Sequence, residues 1–101
     1  MNDFVYVLSY NPLGDNPNAS QVEVFIQKHR EIDTWYYPFL GTYIFKSSKL
    51  LADLAPGFRQ FFGNSPCMLT YASPSLIGGS LPQAVWDWIN ASAVPSLSDR
   101  N

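Results

Sequence analysis

Residues 4–10 read FVYVLSY, and the fold turns on how that run is placed. Apolar side chains occupy both parities, with Phe4, Tyr6, Leu8 and Tyr10 on one and Val5 and Val7 beside Ser9 on the other. A strand with one wet face alternates apolar with polar; a strand covered on both faces does not. The run is therefore expected to be a central strand. Behind it stand Asn11, Pro12, Gly14, Asp15, Asn16, Pro17 and Asn18. Their fixed φ values, permissive glycine and Asx turns end the strand in a polar loop.

Outward from this strand, Ser20-Gln21-Val22-Glu23 matches a capping box and predicts the start of a helix. Val22, Phe25, Ile26, His29 and Ile32 follow three and four apart and form its apolar stripe. Thr34–Tyr37 and Thr42–Lys46 read as two strands, joined by a Pro38–Gly41 loop short enough for a hairpin. Leu50, Leu51, Leu54, Phe58, Phe61 and Phe62 have helical spacing behind a Ser47 or Ser48 cap. Pro56-Gly57 interrupts them and predicts a bent helix or two short ones. Cys67–Ala72 is a fourth strand, Ser73–Gly79 a loop, and Ser80-Leu81-Pro82-Gln83 a second capping box before a helix over Ala84–Asn90. Residues 92–101 are small and polar without periodicity, a frayed tail behind a single domain over 1–91.

The order β-α-β-β-α-β followed by a helix places the chain in the α+β class, as a ferredoxin-like sandwich with an extra C-terminal helix. Two helices cover one sheet face only, which leaves Val5, Val7, Ser9 and Asn11 on a face that calls for a partner.

The composition sets limits on function. At 101 residues, 47% hydrophobic and 16% aromatic, the chain has enough apolar material for one core, so disorder is excluded. Six Lys and Arg against eight Asp and Glu give a formal charge of −2 with no block of either sign. Lys28, Arg30, Lys46, Lys49 and Arg59 are then the supply of cations for phosphate, and nucleic-acid binding per subunit is expected to be weak. No apolar run spans a bilayer and no signal peptide is seen, so a cytoplasmic protein without membrane contact is expected.

Catalytic residue types are few. His29 falls on the apolar stripe of a helix, where packing explains it better than acid-base chemistry, and there is no second histidine. Cys67, the single cysteine, opens an apolar strand with no basic neighbour to lower its pKa, as a buried thiol would. Zinc ligation, a G-x-S-x-G elbow and a Walker loop are all missing their residues, so no cofactor is expected. The strand aromatics lack the basic, glycine-flanked signature of an RNA-stacking sheet, and Trp86-Asp87-Trp88-Ile89 reads as the pin of the last helix.

Taken together, FVYVLSYN, the W-x-x-x-x-x-G-T-Y-I-F hairpin and the closing LPQAVWDWIN resemble the superfamily of the small CRISPR-associated adaptation nuclease and the VapD-like toxins, and especially its standalone bacterial relatives. The resemblance covers residues 4 to about 90. It implies a homodimer, with Val5, Val7, Ser9 and Asn11 facing the twofold. It also implies cleavage of nucleic acid by an Asp at the end of the first strand, the position held here by Asn11. A neutral amide lacks the charge that binds Mg2+ or Mn2+ and acidifies its water. Asp15 is the nearest carboxylate that could substitute. Two readings follow: a non-catalytic dimeric module that meets a protein or nucleic acid, and a weak metal-dependent nuclease using Asp15. The missing Asp and the negative charge favour the first.

Overall fold

The structure, a computed structural model, describes residues 3–73 and 78–91. Its elements are β1 (Phe4–Tyr10), α1 (Ala19–Lys28), β2 (Thr34–Phe39), β3 (Thr42–Ser47), α2 (Leu51–Phe62), β4 (Cys67–Ala72) and α3 (Gln83–Asn90). The strands form one sheet in the order β2-β3-β1-β4 with every neighbour antiparallel. This is an α+β architecture compatible with a ferredoxin-like class. β1 is central, as its two apolar parities require. Tyr6, Leu8 and Tyr10 join Val22, Ile26, Leu54, Phe58 and Phe62 in the core under α1 and α2, while Val5 joins a second cluster with Ile44, Ala72, Val85 and Ile89. The expected frayed tail, and residues 74–77 of the expected Ser73–Gly79 loop, lie outside the described residues.

The helix starts differ from the sequence pattern. α1 begins ahead of the Ser20 box, on Asn18: its Oδ1 accepts the Gln21 N–H at 2.9 Å and Gln21 Oε1 accepts the Asn18 N–H at 2.8 Å. Asn-x-x-Gln and Ser-x-x-Glu are interchangeable as capping patterns, and spacing alone does not choose between them. The helix also stops sooner, so that His29 is its C-cap rather than a member of its stripe. α2 starts at Leu50 without a side-chain cap, Leu50 O accepting from Asp53 N and Leu54 N. Ser47 is buried instead, its Oγ accepting from Lys49 N at 3.0 Å. α3 likewise starts from Pro82 without a side-chain cap, and Gln83 reaches forward to Asp87 at 3.0 Å.

Two prolines are tolerated where sequence rules make them breakers. Pro56 lies within a single α2 helix. It is on the exposed side, where water can take the carbonyl it orphans, while Leu54, Phe58 and Phe62 hold the opposite side in the core. Pro38 sits inside β2, which runs on to Phe39 with a register shift between Tyr36 and Phe39. β2 is an edge strand, so the missing N–H can face away from the ladder. Leu40-Gly41 alone then makes the hairpin turn. Gly41 has φ +86°, and a Cβ there would meet Tyr10 O at 3.1 Å and Pro12 Cδ at 3.2 Å. The hairpin tip is thereby packed against the end of β1.

Candidate site at the end of the first strand

Asn11 is exposed and its side chain is engaged locally. Its Oδ1 accepts the Leu13 N–H at 3.0 Å, while Gly14 N–H donates to Asn11 O at 3.3 Å. This is an Asx turn, the conformation that the short amide favours after a strand. Asp15, four residues on, is exposed. Among the described residues no three His, Cys, Asp or Glu side chains gather as a metal-ligand group. Magnesium asks for an octahedron of oxygens anchored by one or two carboxylates. One turn-bound amide oxygen and one solvated carboxylate in the same loop do not fit that demand within a single chain.

The interface residues expected on β1 divide. Val5 is 1% exposed, sealed by Val85 and Ile89 of α3 within the same chain. The premise that this face must be closed by a partner fails there, because the last helix folds across it. Val7 is half-buried at the margin of that cluster, Ser9 is half-buried and Asn11 exposed. The pairings Val7↔Ile44, Ser9↔Thr42, Val7↔Thr70 and Ser9↔Met68 carry the same face across β3 and β4, and Tyr36↔Ile44 and Phe39↔Thr42 carry it onto β2. α3 covers the end of this face at Val5, Ile44 and Ala72. The end nearer Asn11 is left with Tyr36 37%, Phe39 60% and Met68 63% exposed.

Other groups are brought together that lie far apart in sequence. Lys46 is buried, and its Nζ donates to the carbonyls of Trp88 and Ala91 at the end of α3 while lying 4.9 Å from the centre of a Trp88 ring. A cation at a helix C-terminus is favoured by the exposed carbonyls and the dipole. Lys46 thus leaves the supply of cations available to phosphate. Trp88 Nε1 donates to Thr34 Oγ1 at 3.1 Å, a second tie between α3 and the sheet. Beside Lys46, burial and then the hydrogen bond and charge of Asp33 push the Asp3 carboxyl above its ordinary 3.8, with Lys46 opposing. No spacing signal links Asp3, Asp33 and Lys46; the Phe4↔Ser47 and Thr34↔Lys46 pairings do.

The remaining candidates keep to packing. Burial lowers the His29 pKa from 6.5, with Glu31 opposing, and its Nδ1 accepts the Glu31 N–H at 3.1 Å. Burial pushes the Cys67 thiol above 9.0, away from a thiolate. The strand aromatics are split between faces. Trp35, Tyr37 and Tyr43 pack together beside α1 and line a cavity of about 450 Å³ with Glu23, whose charge opposes a phosphate, while Tyr36 and Phe39 lie on the other face. No single stacking platform results. No helix among the described residues is long and apolar enough to cross a membrane. Comparison with protein-family models, with curated proteins and with solved structures finds no match to this chain.

Proposed function

We propose that the chain is a ferredoxin-like, non-catalytic interaction module that associates through the half of the sheet α3 leaves open, in the first instance with a second copy of itself. The observation that carries this reading is the exposed surface of Tyr36, Phe39 and Met68 around half-buried Val7 and Ser9, next to Asn11. Apolar side chains gathered on one flat face, rather than scattered, mark a contact surface. Size supplies a condition. Four strands about 4.8 Å apart and some three pleats make only on the order of 300–400 Å² for the whole face, of which α3 leaves about half open, whereas a stable interface takes about 800 Å² from each partner. Leu13 and Leu40, 83% and 63% exposed at the same end of the sheet, extend the contact.

Two supports bear on nucleic acid. Lys46 is engaged by α3, and the Asn11 loop offers Asp15 as its one carboxylate with no group of three ligands among the described residues; the module therefore meets protein first and phosphate weakly. Analytical ultracentrifugation at tens of micromolar, about the concentration of a routine assay, is expected to show a dimer that Met68→Glu returns to monomer. A wild-type monomer, or a dimer indifferent to Met68→Glu and Phe39→Glu, overturns this interface. Incubation with RNA or DNA in Mg2+ or Mn2+ is expected to give no cleavage above a metal-free control. Cleavage abolished by Asp15→Ala would instead establish a nuclease.

A further inference from the structure

On the opposite layer from the open sheet half, a groove of about 1060 Å³ follows α1. Its floor is aromatic: Phe25 stacks on Phe61 with centroids 4.1 Å apart and planes 13° apart, and the His29 ring stands edge-on to Phe25 at 5.2 Å. All three rings are only half-buried, and Val24 beside them is 47% exposed. Lys28 and Arg30 line the groove at the end of α1, both exposed and neither in a salt bridge among the described residues. The nearby acid, Glu31, also lines it, but its Oε2 is 3.9 Å from Lys49 Nζ. Lys28 and Arg30 therefore outnumber Glu31 at this end, although Glu31 still acts on the His29 ring and Lys28 also faces the C-terminal carbonyls of α1.

His29 adds a donor. Its Nδ1 accepts the Glu31 N–H, so the neutral ring carries its proton on Nε2. That Nε2–H has no partner among the described residues. No buried side-chain polar atom among them lacks one, so the Nε2–H is open to solvent. A cleft with aromatic rings at its middle and polar groups at its ends is how sites for small organic molecules are built.

We propose that this groove binds a small aromatic anion, its ring against Phe25, Phe61 and Val24 and its acidic group held by Lys28, Arg30 and the His29 Nε2–H. The charge pattern favours this occupant over a protein helix, because the cations lie at one end, Val24 and the rings form the middle, and the other end, Asn18, Ser20 and Gln21, is polar but uncharged. The assignment does not depend on the association surface, which lies across the sheet.

Anilinonaphthalene sulfonate, an aromatic ring system with one fixed negative charge, is the probe. Titration into the folded protein is expected to give saturable fluorescence at one site. Amide shifts in nuclear magnetic resonance should fall on Val24, Phe25, Lys28 and Phe61 rather than on Tyr36 and Met68. Because a charge-assisted contact is lost and a repulsion gained, Lys28→Glu and Arg30→Glu should each weaken binding about tenfold or more. Arg59→Glu, outside the groove on exposed α2, should change it less than about twofold, a shift well under one charge-assisted contact. The uncharged phenylnaphthylamine should bind more weakly than the sulfonate. Unsaturable binding, shifts confined to the open sheet half, or equal affinity in Lys28→Glu, Arg30→Glu and wild type overturns the proposal.

Discussion

Replacing Lys46 by methionine removes one ammonium and keeps most of the buried stem, which isolates what the charge does. In the folded chain that ammonium donates to the last carbonyls of α3 at Trp88 and Ala91 and faces the Trp88 ring. Each hydrogen bond to a charged group contributes about 1.5–3 kcal/mol and the ring about 0.5–1 kcal/mol. Against this stands the cost of partly desolvating the ammonium, which draws the Lys46 pKa below 10.5 with the Asp3 charge opposing. The balance is a destabilisation of about 2 kcal/mol, because the Trp88 and Ala91 carbonyls exchange a charged donor for water at the exposed end of α3. The loss should be concentrated in α3, the one helix on its side of the sheet among the described residues, whose Val85 and Ile89 seal Val5, Ile44 and Ala72. Urea titration followed by tryptophan emission reads this directly, since Trp86 and Trp88 lie on α3. The expected result is a lower midpoint and a red shift at denaturant concentrations below the main transition. A change under about 0.5 kcal/mol with unmoved emission, the range of an ordinary surface substitution, would refute the role given to Lys46 in holding the helix.

Phe58 and Phe61 look alike in sequence but should respond differently. Phe58, 1% exposed and stacked on Phe45 at 5.7 Å, should lose about 3–5 kcal/mol on change to alanine. Phe61, half-buried at the groove, should lose about 1–2 kcal/mol, as partial burial scales the transfer cost. Equal losses in chemical denaturation would contradict the burial described. For His29, a folded pKa depressed by burial means that protons prefer the unfolded chain. Its contribution to stability is therefore complete above 6.5 and is lost as pH falls through the lower folded value. The imidazole resonances of this single histidine should titrate with a midpoint below 6.5, and a midpoint at or above that value would contradict the assignment.

Local chemistry was enough to make the strand and helix identities legible. Two-parity hydrophobicity marks β1 as central, and the four-residue spacing of Leu54, Phe58 and Phe62 marks α2 despite Pro56, because burying those side chains outweighs one lost hydrogen bond on a wet face. The Asx turn at Asn11 was equally readable, since it depends on residues within three positions of one another. Element ends were less so, as Asn18 and Ser20 carry equivalent capping chemistry.

What the sequence by itself determined is the set of elements, their apolar faces, and the absence of a carboxylate at Asn11. Tertiary structure alone decided what covers each face. Two-parity burial of β1 requires a cover on the second face but does not say whose. The choice of α3 over a second subunit at Val5 rests on Lys46 and Thr34 meeting Trp88 across separations of 42 and 54 residues. The same holds for Phe25 and Phe61, which become one aromatic floor only when α1 and α2 lie side by side. Hydrophobic burial is non-directional, so pattern predicts that a side chain is covered. Which chain segment covers it follows from hydrogen bonds and ring contacts whose partners are chosen in three dimensions.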